Sequence, residues 1–270
     1  MNNLSYTKNH DFRLLEKLHE NNGSSFWKAM DLAENRIVGI KRLARSSAPI
    51  KDLQAEADNL KRASQFSRNV PIVYQTYMDR NYFYTIMEFF DGAVLLRKMM
   101  EQPIVLRNAL SMTIKLCETL RPFHENGFFH RDLKPENIFI NKKTKDVFLI
   151  DFNLSSAKPF VGEGTRNYQS PEQREANGRV DYSRTDIFSI GIILYELVTG
   201  KVPEPDKDYY RDRFKIKWEM FTPPREHNPD LPVTIEKIIL KCLAYNPAER
   251  YRLVNDVARE LNRAMRAERL

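Results

Sequence analysis

The apolar residues of this chain recur at two different spacings, and the change from one to the other falls at Asp91-Gly92. Before that point the apolar runs are short. Phe12–Leu18, Phe26–Leu32 and Arg36–Leu43 are separated by Asn-Gly and Glu-Asn pairs, the chemistry of tight turns, and this predicts three antiparallel strands. Ile50–Phe66 instead places Leu53, Ala57 and Leu60 on one face of a helix. Ile72–Met78 and Tyr82–Phe89 return to strand character, which completes a small β-rich lobe with one helix over residues 1–90. Beyond Gly92 helical periodicity dominates, at Val94–Met100, Leu106–Asn126, Tyr182–Thr199, Thr234–Ala244 and Val254–Met265. Strand character returns only at Ile138–Asn141 and Val147–Ile150, and Pro203-Glu204-Pro205 and Pro223-Pro224 act as breakers. The expected class is α+β, with a hinge near Glu88–Gly92 and a mostly helical lobe over 91–270.

At 270 residues the chain can bury a large core. No apolar run reaches the roughly 20 residues that span a bilayer. The opening Met1-Asn2-Asn3-Leu4-Ser5-Tyr6 has no basic segment followed by an apolar one, so cytoplasmic residence and no membrane partner are expected. Cys117 and Cys242 both sit in apolar helical patterns, which predicts buried free thiols and neither a disulfide nor a metal site. The formal charge is +7, but its basic residues are spread out, with concentrations only near Arg211–Lys217 and Arg259–Arg269. Solvated helix faces account for both, and no nucleic-acid partner is expected.

His130 to Asn137 reads His-Arg-Asp-Leu-Lys-Pro-Glu-Asn. One short turn thereby carries a candidate base, Asp132, a cation, Lys134, and a candidate metal ligand, Asn137. A mixed-charge surface turn is the bland alternative, and this order of residue types makes it remote. The string is similar to the catalytic loop of the eukaryotic-type (Hanks-type) serine/threonine protein kinases, His-Arg-Asp-x-x-x-x-Asn. Val38-Gly39-Ile40-Lys41 resembles the strand that brings a lysine to the nucleotide phosphates, with Gly39 in place of the usual alanine. In that family a glutamate of the small-lobe helix holds the lysine, and Glu56, with Leu60 four positions on, fits the part. Asp151 of Leu149-Ile150-Asp151-Phe152-Asn153 resembles the aspartate of the Asp-Phe-Gly motif, with asparagine replacing glycine. Gly164-Thr165-Arg166-Asn167-Tyr168-Gln169-Ser170-Pro171-Glu172 looks like the family's Gly-Thr-x-x-Tyr-x-Ala/Ser-Pro-Glu segment.

The resemblance implies the bilobal protein-kinase fold over about residues 12–261, with ATP and Mg²⁺ (or Mn²⁺) as cofactors. It implies that Asp132 orients the substrate hydroxyl, Lys134 neutralises charge on the transferring group and Thr165 bonds both. Asn137 and Asp151 are the implied metal ligands. Lys41, Glu56, Gly23, Ser24 and the backbone of Glu88 and Phe90 are the implied nucleotide contacts, with Met87 in the gatekeeper place. Asp186 is implied to anchor the backbone of the catalytic turn, and Arg250 to pair with Glu172. A lysine two residues after the aspartate is the serine/threonine pattern, so protein serine and threonine hydroxyls, this chain's own included, are the implied acceptors.

Two stretches depart from the family pattern. Where it has Gly-x-Gly-x-x-Gly, the glycine positions fall here on His19, Asn21 and Ser24, and only Gly23 lies nearby. Weakened nucleotide affinity and greater reliance on Lys41 follow, and Glu20 does not help a polyphosphate. The segment from Asp151 to Glu172 is short, and Lys158–Glu163 contains no Ser, Thr or Tyr. Arg131 is therefore expected to meet Glu163 or to stay unpaired, with no need for phosphorylation of this segment. A pseudokinase-like binding module with weak nucleotide affinity is the second reading. A small-molecule kinase ranks last, because such enzymes usually lack both the Arg-Asp-Leu-Lys-Pro-Glu-Asn string and the Gly-Thr segment. Glu136 and Glu196 are candidates either for facing basic residues beside a target serine or for a structural role.

Overall fold

The computed structural model describes residues 3–7, 10–21, 23–152, 162–175, 182–203 and 221–270. The expectations for Asn153, for residues 158–161 and for Arg211–Lys217 lie outside the described residues. The chain divides into two units, Met1–Ala93 with Phe148–Asn153, and Val94–Val147 with Leu154–Leu270.

The first unit is an antiparallel sheet with one helix against it. Its strands are β1 (Asn3–Thr7), β2 (His10–Asn21), β3 (Ser24–Asp31), β4 (Arg36–Ala44), β5 (Val73–Met78) and β6 (Tyr82–Glu88), in the spatial order β1-β2-β3-β4-β6-β5. The edge strand β1, paired with Leu4 opposite Phe12, was not expected, because five residues are too few to display a period-two pattern. One face of the sheet buries Phe12, Ala29, Val38, Ile40, Tyr84 and Ile86. On the other, Leu43 and Phe83 pack on Leu53 and Ala57 of α1 (Ile50–Ser64). Each such side chain, fully buried, contributes about 1.5–3 kcal/mol of transfer free energy. Helix α1 starts directly after Pro49, carries Asp52 in its first turn and ends with Lys61 and Arg62, in keeping with the helix dipole.

Residues 148–153 group with the first unit, although the sequence pattern put all of 91–270 in the second lobe. The Phe148 ring stacks on Phe90 at 3.9 Å, and the Leu149 amide donates to the Asn69 carbonyl at 2.9 Å. These two links carry Asp151 with the β-rich unit.

The second unit is mainly helical. After the short strand β7 (Ala93–Leu95) come α2 (Leu96–Met99) and α3 (Leu106–Glu125). The helix predicted over Val94–Met100 is thus a strand followed by a single turn, because Ala93–Leu95 is taken up in pairing with β8. Strands β8 (Ile138–Asn141) and β9 (Val147–Leu149) follow, then α4 (Pro171–Glu175), α5 (Tyr182–Thr199), α6 (Pro224–His227), α7 (Val233–Cys242) and α8 (Val254–Ala267). Helix α5 is buried on all sides from Thr185 to Val198, as a helix without a polar face must be. It is the axis on which the catalytic turn is built.

Cys117 of α3 and Cys242 of α7 are free and buried. Burial pushes both thiols up, Cys242 to about 12, so little thiolate exists near neutral pH. Iodoacetamide at pH 8 is expected to leave the native protein unmodified and to alkylate both thiols in urea. Rapid native labelling, read by mass spectrometry, would contradict this burial.

Candidate active site

In the first unit β4 delivers Lys41 and α1 delivers Glu56. The Lys41 ammonium is ion-paired to Glu56 Oε1 and lies 3.0 Å from Asp151 Oδ2, and the lysine and glutamate are only 9% and 8% exposed. Burial alone disfavours the ammonium, but the charges of Asp151 and Glu56 outweigh it and hold the Lys41 pKa above its ordinary value. The cation is therefore fixed and charged across the physiological range. Asp151 has φ 71°, a left-handed backbone conformation. Such a conformation in a non-glycine residue is commonly found at functional sites.

The hairpin between β2 and β3 is zipped to its end. Asn21 is in register with Ser24, and Ser24 in turn with Leu43 of β4. Gly23 has φ 90° and its carbonyl accepts the Ala44 amide at 2.6 Å. Gly23 and Ser24 are thus at the tip, with their backbone already engaged in pairing. Glu20 bonds Lys17 at 2.7 Å, which keeps its carboxyl below the ordinary range. An alanine at Gly23 would hold a Cβ 3.3 Å from Ser47 Cβ in left-handed backbone. Gly23→Ala is expected to cost about 1–2 kcal/mol, and urea midpoints equal to the parent's would count against this conformation. At the end of β6, the Glu88 amide donates to the Ile72 carbonyl at 2.8 Å, and the Phe90 carbonyl accepts the Ala93 amide at 3.1 Å.

In the second unit the turn after α3 carries the octapeptide. Arg131 has φ 65°. Asp186, fully buried on α5, accepts the amides of His130 at 2.9 Å and Arg131 at 2.8 Å, and meets His124 Nε2 at 2.8 Å. Burial opposes its charge, yet His124, His130 and the Arg131 amide together hold its pKa below the usual value. The Arg131 guanidinium grips Glu163, with Nε donating to Oε1 at 2.9 Å and Nη2 to Oε2, and lies 4.4 Å from the Tyr182 ring. Of the two outcomes expected for Arg131, this is the paired one.

Asp132, Lys134 and Thr165 form one closed network. The Thr165 amide donates to Asp132 Oδ1 at 2.8 Å, and Lys134 Nζ donates to Asp132 Oδ2 at 3.0 Å and to Thr165 Oγ1 at 2.7 Å. Asn137 Nδ2 donates to the Asp132 carbonyl at 2.9 Å, which engages the amide nitrogen and fixes the orientation of the side chain. The pairing of Arg250 with Glu172 is present as a fork at 2.7 and 2.8 Å.

Other arrangements gave no sequence signal. Gln173 Nε2 donates to the Arg131 carbonyl at 2.8 Å, and Gln169 Nε2 reaches the carbonyls of Gly162, Glu163 and Gly164. Arg97 of α2 donates to Glu136 at 2.7 Å and to Glu196 at 2.5 Å, and also to the Tyr168 hydroxyl, which donates to Glu196 at 2.7 Å. Both glutamates thus share one internal guanidinium, which fits the structural alternative for them.

Residues 12–261 match the family model described as a protein kinase domain. The chain belongs to the protein kinase family. The fold is accordingly the α+β protein-kinase fold. This kinase domain is 30% identical over 264 residues to a probable serine/threonine-protein kinase of Clostridium acetobutylicum, covering 93% of this chain and 39% of the relative. It is 33% identical over 196 residues to the serine/threonine-protein kinase PknB of Mycobacterium tuberculosis, covering 68% of this chain and 31% of that protein. Against the serine/threonine-protein kinase PrkC of Bacillus subtilis it is 27% identical, covering 96% of this chain and 41% of PrkC. The chain thus spans well under half the length of these curated relatives. Among the described residues no helix is long and apolar enough to cross a membrane.

Proposed function

We propose that this kinase domain transfers the γ-phosphoryl group of ATP to serine and threonine hydroxyls of proteins, its own chain included. The observation that carries the proposal is the closed network of Asp132, Lys134 and Thr165. Phosphoryl transfer asks a protein mainly for positioning and charge neutralisation. Asp132 accepts and orients the acceptor hydroxyl, and Lys134 offsets negative charge on the moving group. Thr165 holds both at the separations given above. Lys41, fixed by Glu56, grips the nucleotide phosphates. The Glu88 carbonyl and the Phe90 amide are the groups offered to the edge of the base.

Asp151 and Asn137, each within its own unit, are the candidate metal ligands, and each carries hard oxygen of the type that Mg²⁺ or Mn²⁺ takes. The Asn137 amide is already oriented by its bond to the Asp132 carbonyl. Such a cation would supply charge neutralisation along the phosphates. Three or more His, Cys, Asp or Glu do not gather as a metal centre among the described residues, which suits a cation held largely by the nucleotide. The two buried free thiols suit action in the reducing cytoplasm.

The alternative reading is a binding module with little nucleotide affinity. Incubation with Mg²⁺ and ATP, followed by phosphosite mapping, separates the two. Phosphoserine or phosphothreonine in the parent and none in Asp151→Ala supports the kinase. No phosphate on any substrate, or phosphate that survives Asp151→Ala, rejects it.

A further inference from the structure

Arg97 of α2 is the hub of a cluster that the reaction proposed above does not use. Its guanidinium meets two carboxylates and a phenol, with Nε donating to Glu136 Oε1 at 2.7 Å, Nη1 to Glu196 Oε1 at 2.5 Å and Nη2 to the Tyr168 hydroxyl. Burial and the Glu196 carboxylate hold the Tyr168 phenol above its ordinary pKa, so it stays neutral and donates to Glu196 Oε2 at 2.7 Å. These four side chains therefore carry two negative charges and one positive. Glu136 Oε2 is buried and accepts no hydrogen bond among the described residues. A strut between α2 and α5 needs a single carboxylate. The second, with a buried oxygen left over, is one acid more than that role uses.

The cluster borders the place where an acceptor hydroxyl is handled. Glu136 is two residues beyond Lys134, and Tyr168 is three beyond Thr165, whose carbonyl accepts the Tyr168 amide at 2.8 Å. Lys134 and Thr165 both bond to Asp132. An extended substrate advances about 3.3 Å per residue, so side chains a few positions from the acceptor reach this cluster. Arg97 and Glu196 also line a cavity of about 620 Å³, together with Met100, Ile104, Val198 and His227. The Arg97 side chain is 34% exposed and that of Glu196 only 7%, so the arginine is the outer member of the pair.

We propose that Arg97 stands where a basic side chain of a protein substrate would otherwise be received, and that it thereby removes any preference for arginine near the acceptor hydroxyl. The proposal rests on the kinase reading above. Glu136 and Glu196 together suit a guanidinium, as their contacts with Arg97 show, and charged contacts of this kind are the strong ones. An arginine tethered within the chain is always present, so one from a substrate must displace it before binding. Without the Arg97 side chain, Glu196 is left facing the cavity with Glu136 beside it. The acidic pair then becomes a receptor for a guanidinium from outside.

The test is steady-state phosphorylation of peptides that contain one serine, with arginine, alanine or glutamate placed at each position on either side of it. For the parent, kcat/KM with arginine is expected to match that with alanine at every position. Arg97→Ala is expected to raise kcat/KM for arginine over alanine about tenfold at one position, the size of a charge-assisted contact. The gain is expected in KM rather than kcat, with the alanine peptide near its parental value. It is expected to vanish when Glu136→Gln and Glu196→Gln are added. Thermal unfolding reports on the fold of each variant, and Arg97→Gln, which keeps a donor toward Glu196, carries the test should Arg97→Ala not fold. A folded variant with no gain for arginine, or with equal losses on all peptides, overturns the proposal. So does a parent that already prefers arginine by a similar factor, or a gain that survives the loss of both carboxylates. A parent that phosphorylates neither a peptide nor itself overturns the kinase reading, and this proposal with it.

Discussion

Asp132→Asn lowers phosphoryl transfer by about 10²–10⁴-fold, the range for losing a positioned general base, and leaves ATP binding and thermal unfolding near the parent's. The geometry explains why the fold survives. Asp132 accepts the Thr165 amide through Oδ1 and the Lys134 ammonium through Oδ2. An asparagine has the same shape and keeps one acceptor oxygen, so the Thr165 contact is retained while the basic second oxygen is replaced by a donor that faces Lys134. The turn itself is held elsewhere, by Asp186 and by Gln173. Single-turnover phosphorylation is the measurement, since it separates chemistry from product release. A rate within threefold of the parent's would remove Asp132 from the role given to it.

Glu163→Ala is expected to destabilise the protein by about 3–5 kcal/mol, the cost of leaving one member of a buried pair without its partner. Arg131 and Glu163 are 4% and 2% exposed, and the guanidinium has both a forked contact with the carboxylate and the Tyr182 ring beside it. Glu163→Gln costs less, because one acceptor for Arg131 Nε remains. The pair also bears on regulation. A buried arginine next to Asp132 needs a counter-charge, and here the Glu163 carboxylate of the chain itself provides it. Phosphatase-treated protein is accordingly expected to keep its activity, and Glu163→Ala to lose activity in step with the stability of the turn. Urea unfolding within about 1 kcal/mol of the parent's, or activity abolished by phosphatase, would contradict this account.

Much of the architecture was legible because short strands and long helices leave different spacings of apolar residues. The catalytic turn was legible because Asp132, Lys134 and Asn137 are neighbours in sequence, and Lys41 because it sits on a strand with strong apolar flanks. The return of the segment beginning at Phe148 to the first unit was not legible, since it depends on a ring stack, a backbone amide and the Lys41–Asp151 ion pair. Nor was the capture of Glu136 and Glu196 by Arg97, where the partners are separated by 39 and 99 residues. Local signals reveal which chemistry a segment carries, and pairing across the fold decides what that chemistry faces.

The octapeptide is not a portable module. Its second residue, Arg131, adopts a backbone conformation that an isolated peptide would abandon, and the carboxylate that stabilises it belongs to Asp186, 55 residues further along the chain. Grafted onto another scaffold without a buried acid aimed at its amides, the same eight residues would relax into an ordinary loop. The shape of the turn is borrowed from the N-terminal part of an apolar helix, so selection on activity acts on a residue that no substrate touches.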